Sequence, residues 1–241
     1  FTKFKMRKIF LLFTFILFAQ FVYCQTEQDL SMLLGGMVKS DKWIIRKDSF
    51  EEEFIGNVHY ENEMYKISAD KALSKRKAKT YELTGNVFLS RTEGNTTITL
   101  NAGRVFYNQK KDTGMVNAAK KAQVKIVYTT PEDVYTLLAN KIEFSNKANF
   151  FKASGSVQLS DKENTLKAKE VTFDRISGVF EALSARPIML GANKDGSYAL
   201  EADKITVNTQ TGKFNAAGNA QGWLTLEKDL MTKENLKKLK E

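Results

Sequence analysis

The 241-residue chain has one cysteine, Cys24, one histidine, His59, and two prolines. A lone cysteine excludes an internal disulfide framework and any cysteine metal cluster. With a single histidine, any Ser-His or Cys-His nucleophile system would have to be built around His59. That residue falls on an alternating run between Val58 and Tyr60, so an outward-facing strand residue is the simpler reading. There is no glycine-rich phosphate loop, because Gly85-Asn86-Val87 and Gly155-Ser156-Val157 sit inside strand patterns, where glycine marks a bulge or a close approach. Asp70 and Asp203 recur at equivalent places, but Gly103, Asn140 and Lys169 replace them elsewhere. A turn or bulge position is distributed in that way; a catalytic pair is not. No basic cluster interleaved with aromatics marks a nucleic-acid surface. The expectation is a protein without catalysis, cofactor, metal or nucleic-acid partner.

The formal net charge is +9, of which Lys3, Lys5, Arg7 and Lys8 supply four in a segment free of acids. That basic stretch precedes an apolar run from Ile9 to Ala19, and the composition turns polar at Gln25. The pattern is that of a secretory signal over residues 1–24. The sequence leaves two alternatives open: an uncleaved anchor, short for a span of about 20 residues, or lipidation at Cys24 behind a bulky Tyr23.

What the chain does have is a repeat. An alanine recurs at Ala69, Ala102, Ala139, Ala168 and Ala202, with spacings of 33, 37, 29 and 34 residues. Two residues before it stand Ile67, Leu100, Leu137, Leu166 and Leu200; three residues after it stand Ala72, Val105, Ile142, Val171 and Ile205. Such self-similarity is the mark of a repeat architecture and favours one continuous domain. Before each alanine the apolar residues alternate, as in Ile98, Leu100, Ala102, so one face of a strand is buried. After it the phase slips by one, which requires a bend or bulge. A glycine half repeats as well: Tyr81-x-Leu83-x-Gly85-x-Val87-x-Leu89 aligns with Phe151-x-Ala153-x-Gly155-x-Val157-x-Leu159, and Phe180 and Phe214 open related runs. Turn chemistry separates the runs, for example Lys-Asp-Thr-Gly at 111–114. The reading is an all-β chain forming one long, bent, antiparallel sheet.

Residues 25–53 form a less regular N-terminal segment, and Phe54 to Tyr60 matches the glycine half without a clear alanine half before it. The repeat domain is placed at 54–226, followed by a charged tail at 227–241. With no helix to cover it, the sheet must fold onto itself as a sandwich, a barrel or an open groove. Small inner residues such as Ala102, Ala153, Gly85 and Gly155 leave room for a guest; a fully packed dry core is the competing reading.

Ile-Ser-Ala-Asp-Lys-Ala (67–72), Tyr-Glu-Leu-Thr-Gly-Asn-Val (81–87) and Leu-Glu-Ala-Asp-Lys-Ile (200–205) resemble the repeat of the LptA/OstA-like family of periplasmic lipopolysaccharide transport proteins. The resemblance covers about residues 54–226. It implies a taco-shaped, open-ended β-jellyroll whose apolar groove holds the acyl chains of lipid A or a related glycolipid. It also implies edge-strand pairing with other Lpt-type jellyrolls, a head-to-tail homo-oligomer among them, and a periplasmic location. An LptC-like anchored component is the alternative within the pathway, and a scaffold that binds no lipid is the alternative outside it. The alternation then names the groove residues: Ile67, Leu83, Val87, Ile98, Leu100, Leu137, Phe151, Val157, Leu166, Phe180, Leu200 and Phe214. Lys71, Arg104, Lys141 and Lys204, two residues after the alanine, are either a rim facing lipid phosphates or solvated charges.

Overall fold

The computed structural model describes residues 37–226 other than 175, 194, 195, 209, 210 and 212. The leader at 1–24 and the tail at 227–241 lie outside the described residues. Eighteen strands and no helix are found among those described: β1 (Met37–Lys39), β2 (Lys42–Arg46), β3 (Glu51–Glu61), β4 (Tyr65–Lys75), β5 (Thr80–Glu93), β6 (Thr96–Asn108), β7 (Thr113–Asn117), β8 (Val124–Thr129), β9 (Val134–Ala139), β10 (Lys141–Ser145), β11 (Phe150–Ser160), β12 (Asn164–Asp174), β13 (Val179–Leu183), β14 (Ile188–Asn193), β15 (Gly196–Glu201), β16 (Lys204–Asn208), β17 (Phe214–Ala217) and β18 (Gln221–Leu226). Every pairing is antiparallel.

The pairings resolve into twelve bent rungs. Six are single long strands, β3, β4, β5, β6, β11 and β12. The other six are pairs broken at the bend: β1–β2, β7–β8, β9–β10, β13–β14, β15–β16 and β17–β18. One half of each rung belongs to a sheet ordered β2-β3-β4-β5-β6-β7-β10-β11-β12-β13-β16-β17. The other half belongs to a sheet ordered β1-β3-β4-β5-β6-β8-β9-β11-β12-β14-β15-β18. The two sheets share a spine of bends, and apolar residues of both join one core between them. At about 4.8 Å per strand the ladder is roughly 55 Å long. Its first described rung is Met37–Arg46, so much of the segment assigned to 25–53 is part of the ladder and residue 54 lies inside β3.

The bend has a local chemical cause. At three places an aspartate at the bend of one rung meets a Gly-Asn pair at the bend of the next: Asp41 with Gly56-Asn57, Asp70 with Gly85-Asn86, Asp203 with Gly218-Asn219. Each pair has left-handed backbone, φ 75° and 45°, 73° and 45°, and 74° and 44°. Each asparagine donates its side-chain amide to the aspartate, at 3.0, 3.0 and 2.9 Å. The Asp41 and Asp203 amides also donate to the glycine carbonyls, at 3.0 and 2.8 Å. A β-carbon on Gly85 would overlap the Asp70 carboxylate. Here glycine supplies both the left-handed conformation and the space. The bulge shifts register between Thr84 and Val87, and between Ser154 and Val157, which is the slip read in the sequence. Ser40-Asp41 therefore occupies the place of the missing alanine half before Phe54. Serine stands there where alanine recurs in the other rungs, so the repeat pattern does not mark it.

Gly85→Ala should cost about 1–3 kcal/mol through strained backbone, read as a lower denaturant midpoint. Gly222→Ala, with ordinary backbone and its nearest neighbour at 3.7 Å, should stay within about 0.5 kcal/mol of the parent. Equal losses at the two sites would contradict the bend mechanism.

Candidate functional site

The inner face consists of rows of side chains running across the rungs. Nearest the spine in one sheet, valine and alanine alternate as opposed pairs: Val58 with Ala69, Val87 with Ala102, Val124 with Ala139, Val157 with Ala168. Rungs running toward this sheet carry the valine, and rungs leaving it carry the alanine. A larger residue on both would crowd the inside of the bend. One row outward stand Ile67, Leu89, Leu100, Ile126, Leu137, Leu159, Leu166, Met189 and Leu200, each opposite the next or joined to it through the ladder. The facing sheet carries Leu83, Val105, Val116, Ile142, Ala153, Val171, Ala182 and Ile205, and beyond them an aromatic row.

That aromatic row is Tyr81, Tyr107, Phe144, Phe151, Phe173 and Phe180, with Gly114 between Tyr107 and Phe144. Tyr81 stacks on Tyr107 with centroids 6.5 Å apart, and Tyr107 on Phe144 at 6.4 Å. Those offset contacts stabilise the face beyond the burial of area alone. The Phe144 ring occupies the space where a β-carbon on Gly114 would stand. Gly114, which reads in the sequence as the end of a turn, is thus a strand residue that lets two rings meet.

Eleven of the twelve expected groove residues hold inward register positions, and the backbone of Phe214 pairs with Val207. Their burial is uneven. Leu100 is 1% exposed, Leu137 2%, Val157 2% and Phe180 1%, and Ile126, Val116 and Ile142 beside them 0%. In the middle of the ladder the protein's own atoms fill the space, so the expectation of a slot left hollow throughout is corrected there. Branched aliphatic residues from both sheets meet and exclude water. Toward the ends the face opens. Ile67, Leu83 and Leu200 are half-buried, while Val38, Trp43 and Leu224 are 43%, 58% and 55% exposed. Trp43 is stacked on Phe54 at 5.5 Å.

Lys71, Arg104, Lys141 and Lys204 occupy the opposite, outer face, one residue from the inner row. Each is in an ion pair: Lys71 with Glu53, Arg104 with Glu82 at 2.7 Å, Lys141 with Glu143 at 2.7 Å, Lys204 with Glu181 at 2.5 Å. Their place is near the spine; the mouth of the V is made of turns. His59 is exposed on an outward position opposite Ser68. An open recess of about 400 Å³ at the carboxyl-terminal end, lined by Leu190, Ala199, Trp223, Thr165 and Glu163 among others, is also mainly on outward positions.

Polar groups cap the inner rows at the mouth. Arg91, opposite Ile98, pairs with Glu93 at 2.6 Å and lies 5.8 Å from the centre of the Tyr65 ring. Tyr198 donates its hydroxyl to Asn164 at 2.8 Å. Burial, together with the nearby Asp161 and Glu163 carboxylates, pushes the Tyr198 phenol up to about 12. Burial and the neighbouring Asp133 likewise push Tyr135 far above the ordinary phenol range. On the outer face Glu53 is held below the ordinary carboxylate range, first by its hydrogen bond to Lys71 and then by Arg46.

A carboxylate whose folded value is depressed stabilises the fold fully above its ordinary value of 4.5. That stabilisation is lost as pH falls through the lower folded value. Glu51 and Glu61 are lowered in the same way, by Lys75 and Lys66. Stability should therefore fall on acidification below the ordinary glutamate range, and Glu53→Gln should flatten that part of the pH profile. An unchanged profile of thermal midpoints would refute the pairing.

Residues 66–179 match the family model described as LptA/(LptD N-terminal domain) LPS transport protein. No curated protein matches the sequence. Among solved structures, the chain aligns with LptH, the LptA homologous periplasmic component of the conserved lipopolysaccharide transport device from Pseudomonas aeruginosa. That alignment has 9% identity over 80% of this chain and 94% of that one, with a TM-score of 0.24, too low for the superposition to bear on the geometry.

Proposed function

We propose that this chain, whose residues 66–179 match the LptA/(LptD N-terminal domain) LPS transport protein model, is a non-catalytic periplasmic carrier of lipopolysaccharide or a related glycolipid. The observation that supports the reading is the pair of facing apolar walls, continuous from rung to rung and exposed at both ends of the ladder. The acyl chains of the glycolipid lie between the walls. Each methylene kept from water is worth about 0.8 kcal/mol, so a chain of about a dozen carbons gains roughly 10 kcal/mol. No chemistry is needed; an apolar path is enough. The half-buried stretches around Ile67 and Leu200 receive the chains first. Passage through the middle requires the two walls to part, replacing contacts between walls with contacts to the guest.

The end rungs offer the means of joining a longer path. Among the described residues β1 and β2 pair only with β3, β17 only with β16, and β18 only with β15. Unpaired edges with exposed Met37, Trp43, Ile45 and Trp223 accept further strands by edge addition. The partners are other Lpt-type jellyrolls or a second copy of this chain, head to tail.

The closed middle favours a second reading, a dry β-repeat scaffold. A fluorescent fatty-acyl probe separates the two. The carrier reading expects saturable binding by the purified chain. Ile67→Asp and Leu200→Asp should weaken it about tenfold, the order of effect of one charge set against an acyl contact, while the far-ultraviolet dichroism stays unchanged. Leu137→Asp, at a position closed to water, should instead unfold the protein. A folded parent that protects no probe would leave the scaffold reading.

A further inference from the structure

The strands alternate in direction, so the turns that close the mouth fall into two sets, one along each sheet. Each set lines one lip of the mouth, and backbone hydrogen bonds tie neighbouring rungs together there. On the aromatic-bearing sheet, Arg76 N donates to Phe50 O at 2.9 Å, Gln109 N to Lys79 O at 2.9 Å, and Asn146 N to Asp112 O at 3.0 Å. On the other, strand ends bond to neighbouring turns: Thr92 N of β5 donates to Met64 O at 2.9 Å and Ala192 N of β14 to Glu163 O at 2.9 Å. The two lips differ in sign. The described turn residues of the first carry eight cations against two carboxylates, Asp48 and Asp112; those of the second carry five carboxylates against one cation, Lys162. Of the two acids on the basic lip, Asp112 already accepts from Tyr107 and Asn146 at 2.9 and 2.8 Å. The acids on the other lip include Glu63, Glu132, Asp133 and Asp161. Lys77, Lys79, Lys110 and Lys111 are all exposed and sit on two adjacent turns.

We propose that the basic lip, centred on Lys77, Lys79, Lys110 and Lys111, is a binding site for the phosphate-bearing headgroup of the amphiphile held between the walls. The inference rests on the carrier reading, since acyl chains between the walls bring their headgroup to the mouth. There it meets attraction on one side and repulsion on the other. Screening confines each field to about 8 Å at physiological salt, so the headgroup senses the lip beside it, and the guest is held in one orientation. Several exposed lysines acting on one doubly charged group together exceed the small value of any single exposed pair.

The test compares two fluorescent probes with the same acyl chain, one with a phosphate head and one with a glycerol head, on the full chain. The expected result is a preference of about tenfold for the phosphate head at low salt. Lys77→Glu, Lys79→Glu, Lys110→Glu and Lys111→Glu together should abolish the preference and leave the glycerol probe unaffected. A parent that binds both probes equally, or a quadruple variant that keeps the preference, overturns the lip assignment while leaving the carrier reading intact. Failure of both probes to bind the folded parent removes the carrier reading and the assignment with it. Salt-sensitive binding to phosphatidylglycerol vesicles without any preference between monomeric probes would assign the lip to a bilayer surface, and the proposal would be wrong.

Discussion

The structure depends on the bend. A strand ladder with one apolar face and no helix has nothing to bury that face against except itself. Folding each rung at its midpoint turns one sheet into two facing walls. The hydrogen bond from asparagine to aspartate, over a glycine with left-handed backbone, fixes where the fold line runs. Three rungs use that arrangement, at Asp41, Asp70 and Asp203, and others replace it piecemeal. Asn140 packs against Gly155, and the backbone at Ala119 fills the space beside Gly103. The sequence tolerates these exchanges because each supplies the same two things, a left-handed turn or a break and a small volume at the fold line.

Once the fold line is fixed, packing grades the interior along the ladder. Near the spine, valine against alanine sets a narrow separation. Further out, leucines on one wall and aromatic rings on the other span the wider part of the V. In the middle rungs these side chains meet and exclude water; at the ends each wall lacks a neighbour and stays partly open. On the proposed carrier function a guest enters where the walls have the fewest partners, and every step inward exchanges one apolar contact for another. Such an exchange is close to neutral in the hydrophobic term, which is what the proposed path requires.

The outer face follows a different rule. Its cations and carboxylates alternate between adjacent strands, as in Lys71 with Glu53 and Lys204 with Glu181, and satisfy one another near the spine. Only at the turns does charge segregate, because strand direction alternates and each turn belongs to one lip. Residues far apart in the chain, such as Lys79 and Lys110, become neighbours there.

The alternation of apolar residues and the recurring alanine and glycine determined the strand content, the inward faces and the existence of a bend. They could do so because period 2 and a phase slip are local properties of the backbone. Serine at position 40 hid the first rung, and Gly114 read as turn chemistry because its reason is a ring thirty residues away. Only the tertiary structure decided that the middle of the ladder is closed, that Lys71, Arg104, Lys141 and Lys204 face outward into ion pairs, and that the lips carry opposite charge. Those outcomes depend on how far apart the two walls stand and which turns share a lip, distances between segments remote in sequence that no periodicity encodes.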